Sequence, residues 1–271
     1  MSGGIRDDQC GDSRRIDTNS LSRLLSNLSS LPSSGTGRAF FFLWGGGLVA
    51  KLLQACVVID YQNMHLTAHG LFDGTRFGPK HDCLLDPLSF SVNLLEMRNV
   101  RQRPGFPAAE VRSVLVYRGL PSPEHDQAAY ARSLAQQAHW ERDSRVKVHL
   151  RPLRYLYRYD DQGNLVRDAH GERVVAGVQE KGIDVLCALA LVREAASPVN
   201  DLVVLASHDT DLEPALDEAV EQGHAKVETC QWFRSDGQRH TRQLRPRVHR
   251  IWNTRLGEAE FRRSWDLTSY Q

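Results

Sequence analysis

The stretch Leu202–Gly223, LVVLASHDTDLEPALDEAVEQG, opens on a continuous run of Leu, Val and Ala and then turns acidic. Such a run is what a strand buried on both faces looks like, and Gly223 stops the amphipathic pattern that follows it. A buried strand feeding directly into a helix is the repeating unit of an α/β layer fold. At the joint stand Ser207, Asp209 and Asp211. They have two readings: they end the strand and cap the helix, or they hold a metal ion.

The same grammar recurs along the chain. LLQACVVID (Leu52–Asp60) is a second apolar run ending on an aspartate, and VRSVLVYRG (Val111–Gly119), VKVHLRPLRY (Val146–Tyr155) and KVETCQW (Lys226–Trp232) read as further strands. Between them, Glu124–Asp143 carries a small-residue helical face (Ala128, Ala131, Leu134, Ala135, Ala138), and Gly182–Ala195 is a strongly apolar helix. Alternating strands and helices predict an α/β fold with a mainly parallel central sheet flanked by helices, over residues 52–255. YDDQGNLVRDAHGERVV (Tyr159–Val175) reads as a polar hairpin insertion turning at Gly163-Asn164 and Gly171. No internal repeat stands out, and residues 256–271 read as a C-terminal tail.

Residues 1–48 differ from the rest. Rich in Ser, Gly, Arg and Asp, they are expected to be a disordered leader, and one expectation is that translation starts nearer Val49, the leader being an artefact of gene delimitation. N-terminal sequencing of native protein tests it. AFFFLWGGGLVA (Ala39–Ala50) has about a dozen residues where a membrane span needs about 20, so no membrane role is expected.

The chain has 271 residues, 41% of them hydrophobic and 25% charged, the composition of an ordinary globular protein. A net charge of +1 neither suggests nor excludes a polyanionic partner. Five scattered cysteines without a C-x-x-C pair argue against a disulfide framework or zinc ribbon and fit a reducing cytoplasm.

In a mainly parallel sheet, ligands gather at the carboxyl ends of the strands. Asp60, followed by Asn63, Asp184 at the start of its helix, and Asp209 with Asp211 would converge there. Clustered carboxylates repel, and a divalent cation is the natural counter-charge; oxygen ligands suit Mg²⁺ or Mn²⁺. Such a site can hydrolyse a phosphoester without a nucleophilic side chain. No G-x-S-x-G and no G-x-x-x-x-G-K-[ST] loop is present. Each residue also has a plainer reading: Asp211 and Asp184 as helix caps, Asn63 as a turn residue, Ser207 bonded to nearby backbone. Asp60 is harder to dismiss, because a buried carboxylate is costly without a partner.

The order Asp60-x-x-Asn63, then Lys181-Gly182-Ile183-Asp184 before an apolar helix, then Ser207-x-Asp209-x-Asp211 after a strand resembles the NYN domain family of PIN-like metal-dependent ribonucleases. The likeness runs from about Leu52 to Trp232. It implies a PIN-like, Rossmannoid fold, with Asp60, Asp184, Asp209 and Asp211 holding Mg²⁺ or Mn²⁺ and Asn63 and Ser207 positioning water or phosphate. The implied reaction is hydrolysis of RNA to 5′-phosphate and 3′-hydroxyl ends. The stretch His69–Gly105, the insertion and the region after Trp232 lie outside it.

An acidic site needs basic surroundings to bind RNA, and single-stranded RNA is the expected partner. FRSDGQRHTRQLRPRVHR (Phe233–Arg250) has six arginines against one aspartate; Arg234, Arg239, Arg242 and Arg245 are the phosphate-binding candidates, with Arg118 near the metals. MRNVRQRPG (Met97–Gly105) adds basic charge, and Arg145–Tyr159 interleaves it with Tyr155, Tyr157 and Tyr159, which read either as stacking platforms or as core. His65, His69 and His208 are expected on the surface or behind the site. Two other readings compete: a non-catalytic RNA-binding or regulatory module on the same fold, and a haloacid dehalogenase-type phosphatase. The phosphatase wants D-x-D at the first strand, where Asp60 is followed by Tyr61 and Gln62.

Overall fold

The computed structural model describes residues 51–72, 83–234 and 241–270. The leader, and any start near Val49, lie outside the described residues. The element order is β1 (Leu53–Asp60), α1 (Tyr61–Leu71), α2 (Pro87–Arg101), β2 (Ala109–Leu120), α3 (Gln127–Trp140), β3 (Val146–Pro152), β4 (Arg154–Tyr157), β5 (Val175–Gln179), α4 (Ile183–Ala196), β6 (Leu202–Ala206), a 3₁₀ turn (Thr210–Leu212), α5 (Glu213–Gln222), β7 (Lys226–Trp232), β8 (Trp252–Leu256) and α6 (Glu258–Arg263).

Six strands form one sheet in the order β3-β2-β1-β6-β7-β8, and every pairing in it is parallel. The chain builds outward from β1 to β3 on one side, then returns to lay β6, β7 and β8 on the other. The order therefore reverses between β1 and β6, which makes the crevice at their carboxyl ends the topological switch point.

Both faces of the sheet are covered, so the central strands are apolar throughout rather than alternating. Ala55, Val57 and Ile59 of β1, with Leu202, Val204 and Ala206 of β6, pack under Met64, Phe90, Leu94, Trp140 and Phe261. Cys56, Val58, Val203 and Leu205 pack under Ile183, Cys187, Leu191 and Leu216 from α4 and α5. By strand parity Asp60 and Ser207 belong to this second face. The register Ile59↔Ala206 sets them side by side, one step beyond the last pair.

The α/β architecture agrees with the sequence reading, and several elements add to it. β8 and α6 come from the stretch expected to be basic loop and tail. Residues 256–270 pack into the domain instead of trailing from it: Phe261 is fully buried, and Trp140 Nε1 donates to Asp266 Oδ2 at 2.7 Å. α2 lies in a stretch with no assigned structure; Asp86 Oδ1 accepts from Ser89 N at 2.7 Å, and Pro87 sits at the first helical position. The strand expected over Val146–Tyr155 divides after Pro152, which has no N–H to continue a ladder.

The expected insertion is an arm rooted on the antiparallel pair β4–β5. Two turns shape its tip, with Gly163 at φ 81° and Gly171 at φ 82°, conformations that favour glycine. In each turn an aspartate collects backbone N–H groups: Asp160 Oδ1 from Gln162 and Asn164, Asp168 Oδ1 from His170 and Glu172. This D-x-x-G-x unit, repeated at eight-residue spacing, is a short internal repeat that the sequence reading passed over.

Candidate active site

Asp60 ends β1 and is only 5% exposed. Ser207, fully buried just past β6, donates its hydroxyl to Asp60 Oδ2 at 2.9 Å and accepts from Asp209 N at 3.0 Å. Asp209 Oδ1 in turn accepts from Asp211 N at 3.0 Å and caps the 3₁₀ turn. From α1, Asn63 Oδ1 accepts from His208 N at 2.8 Å. These bonds fix the loop between β6 and α5 against the start of α1. Trp232 N donates to His208 Nε2, and His208 Nδ1 faces Arg242 O, each at 3.4 Å. That pattern fits a neutral ring protonated at Nδ1, and burial lowers its pKa.

The opposite wall is the run Glu180–Asp184. Gly182, at φ 78°, is the N-cap residue of α4 and turns the chain into it, placing Asp184 in the first helical turn. Glu180 Oε1 accepts from Gly119 N at 2.5 Å, and its carboxylate also faces the Gln62 side-chain amide. A Cβ at Gly119 would lie 2.2 Å from Leu153 Cδ2 and 2.5 Å from Glu180 Oε1, so glycine permits this close approach. The two walls enclose a cavity of about 530 Å³ lined by Asp60, Gln62, Asn63, Leu66, Thr67, Glu180, Lys181, Gly182, Ile183, Asp184 and Asp209.

The carboxylates feel one another. Burial pushes the Asp60 carboxyl up to about 7, and the charges of Glu180 and Asp209 add to the rise, against the Ser207 and Asn63 hydrogen bonds. Burial also raises Glu180, with the Gly119 N–H and the charge of Arg118 holding it down. The Cys187 thiol beneath is raised by burial and then by Asp60, Asp184, Glu180 and Asp209 in turn.

The structure thus brings Asp60, Asn63, Asp184 and Asp209 to one cavity with Ser207 behind them. Asp211 is not brought there: it is exposed and outside the lining. The capping alternatives also change. Gly182, not Asp184, is the N-cap residue of α4, and Leu212, not Asp211, holds that position in α5. Among the described residues, no group of three or more His, Cys, Asp or Glu side chains is arranged to hold a metal ion. Of the four carboxylates expected to share a metal, Asp60, Asp184 and Asp209 line the cavity and Asp211 does not. Glu180 is a lining carboxylate that the sequence reading missed, although it directly precedes Lys181-Gly182.

The basic residues divide. Arg118 does not present its guanidinium to a phosphate. It is 9% exposed, its Nη1 donates to Gln136 Oε1 at 2.7 Å, and it lies 4.8 Å from the centre of the Tyr61 ring. Arg98 is core, held bidentate on Glu228. Arg234 is half-buried and donates to Leu71 O at 3.0 Å. Arg242 and Arg245 are exposed, while Arg239 lies outside the described residues. Tyr155 and Tyr157 are engaged structurally, their hydroxyls bonded to Ser122 N and His125 Nε2.

No family profile and no curated protein matches this chain. It is similar to a solved structure, that of a protein of unknown function from Vibrio parahaemolyticus, at 19% identity and a TM-score of 0.34, over 66% of this chain and 81% of that one. A likeness of that size carries neither fold nor function across.

Proposed function

We propose that the chain is a metal-dependent ribonuclease of the NYN, PIN-like kind. The observation that carries the reading is the cavity at the switch point, where Asp60, Glu180, Asp184 and Asp209 line one space and, among the described residues, the exposed Lys181 is the one cationic side chain in the lining. A buried carboxylate with two acidic neighbours calls for a cation. Mg²⁺ is commonly held by one or two carboxylates and otherwise by water, a mode that Asp60 and Asp209 suit without a three-ligand cage. When bound, Mg²⁺ or Mn²⁺ would offset charge on the phosphoryl oxygens and activate a water.

The chain's own groups prepare that chemistry. The Ser207 hydroxyl orients the Asp60 carboxylate, the Ser207–Asp209 backbone bond fixes the second carboxylate relative to the first, and Asn63 holds the loop at His208. The Gly119 N–H anchors Glu180. The exposed Arg242 and Arg245 are the phosphate contacts for a single-stranded RNA. Cytoplasmic residence belongs to the same proposal: the four described cysteines are free and buried, and no helix among the described residues is long and apolar enough to cross a membrane.

The test is end-group analysis of single-stranded RNA incubated with the protein and Mn²⁺. Hydrolysis through activated water leaves 5′-phosphate and 3′-hydroxyl ends. Cyclic 2′,3′-phosphate ends would mean attack by the RNA's own hydroxyl and would sink the reading. One observation favours a second reading, an RNA-binding module without catalysis: although four carboxylates line the cavity, among the described residues no group of three or more His, Cys, Asp or Glu side chains is arranged to hold a metal ion. RNA retention without any cleavage would select it.

A further inference from the structure

β7 and β8 are parallel neighbours, so the chain must cross back over the sheet between them. Every other crossover of this sheet carries a helix. The described part of this one, residues 241–251, has neither helix nor strand. It is a strap laid over the second face, where Leu244 is buried and Ile251 packs against the same core.

Alternation decides what the strap shows on either side. In Leu244-Arg245-Pro246-Arg247 the apolar residues are buried and the arginines exposed. Carboxylates on α5 satisfy the strap's backbone: Glu213 Oε1 accepts from Arg245 N at 3.1 Å, and Asp217 accepts from Arg247 N at 3.0 Å and Val248 N at 3.1 Å. Arg242 pairs with Glu213 at 3.8 Å, whereas Arg245, Arg247 and Arg250 form no ion pair among the described residues.

The strap folds round a cavity of about 480 Å³ whose walls include Arg245, Arg247, His249 and Arg250 and, among the described residues, no carboxylate. It shares no lining residue with the cavity at the switch point. His249 Nε2 is buried and has no hydrogen-bond partner among the described residues. Asp217, which feels the charges of His249 and Arg247, has both oxygens engaged by backbone N–H groups. A neighbouring cavity of about 410 Å³ shares Arg250 and Ile251 and is lined also by Val220, Ala225 and Val227.

Guanidinium groups gathered on one wall repel one another and call for an anion. Their forked N–H groups match phosphate oxygens, and a protonated His249 Nε2 adds a donor. The volume is that of a small-molecule site, and the apolar neighbour leaves room for a body attached to the phosphate. We propose that the strap between β7 and β8 is a second ligand site, for a phosphomonoester, with Arg247, His249 and Arg250 on the phosphate. Free nucleotides and 5′-phosphorylated RNA ends both carry that group. The proposal stands independently of the ribonuclease reading.

The experiment is calorimetry on the full chain in chelator, with a nucleoside 5′-monophosphate, its parent nucleoside and inorganic phosphate, beside NMR of the histidine side chains. The His249 signal is assigned by its loss in His249→Gln. The nucleotide is expected to bind once per chain, and inorganic phosphate more weakly at the same place, each moving the His249 signal. The nucleoside is expected not to bind. Arg247→Ala/Arg250→Ala, which keeps Arg245, should weaken nucleotide binding at least about tenfold, the loss of one charge-assisted hydrogen bond or more. No binding, nucleoside bound as tightly as nucleotide, an unmoved His249 signal, or wild-type affinity in the double variant each overturns the proposal. Short RNAs with a 5′-phosphate or a 5′-hydroxyl separate the two sources. Preference for the phosphorylated end, lost in the double variant, identifies an RNA end; equal binding of the two RNAs identifies the free nucleotide.

Discussion

Replacing Asp60 by Asn should make the protein more stable above neutral pH. Folding moves this carboxyl from 3.8 to about 7, chiefly by burial and then by the charges of Glu180 and Asp209. Between those two values the folded state holds the proton and the unfolded state has lost it, so stability falls as pH rises through the window. The interval is about three pH units, and each unit is worth about 1.4 kcal/mol. The Asp60 contribution therefore shrinks by up to about 4 kcal/mol from about pH 4 to about pH 8. Asparagine keeps an oxygen for the Ser207 hydroxyl but carries no charge. The difference in urea-unfolding free energy, variant minus wild type, should climb by about 2 to 4 kcal/mol across that window. Mn²⁺ at a hundred times its dissociation constant should add about 2.7 kcal/mol to the wild type at about pH 8 and nothing comparable to the variant. A difference that stays flat with pH, or one that falls, would refute the reasoning about the buried carboxylate.

Gly119→Ala should displace Glu180 and cost about 1 to 3 kcal/mol by overpacking against Leu153. With Glu180 moved away, the Asp60 carboxyl should titrate at lower pH, which carbon-detected NMR can follow. Arg98→Met should cost about 3 kcal/mol in urea unfolding, because it strips a bidentate partner from the buried Glu228; Lys226 Nζ at 2.7 Å from Glu228 Oε1 keeps the loss near the low end for a broken buried pair. Asp209→Asn should reduce Mn²⁺-dependent RNA cleavage at least about tenfold more than Asp211→Asn, since only Asp209 lines the cavity. Equal losses would return Asp211 to the site.

The parts of this architecture that are legible in the sequence are those written in long apolar runs. Val57–Ile59 and Leu202–Ala206 announce doubly covered strands, and the aspartate or serine after each marks the carboxyl edge. α1 leaves no such trace, because it begins at Tyr61 directly after the strand, without a side-chain cap bond. β8 hides among arginines whose neighbours, Trp252 and Thr254, declare themselves only once β7 is there to pair with. Glu180 was not readable either: its place depends on Gly119, 61 residues away, and on the absence there of a Cβ. Arg118 shows the converse error. Its position after a strand suggested a phosphate contact, but its neighbours Tyr61 and Trp140 come from helices and enclose it.

The most direct test of the account is single-turnover cleavage of labelled single-stranded RNA by wild type, Asp60→Asn and Asp209→Asn, each shown to be folded, in Mn²⁺ or Mg²⁺ and in EDTA. The account predicts cleavage by the wild type with metal alone, abolished by the chelator and lost in both variants. Cleavage that survives the chelator, or that both variants retain, would contradict the claim that the cavity at the β1–β6 switch point is a metal-dependent ribonuclease site.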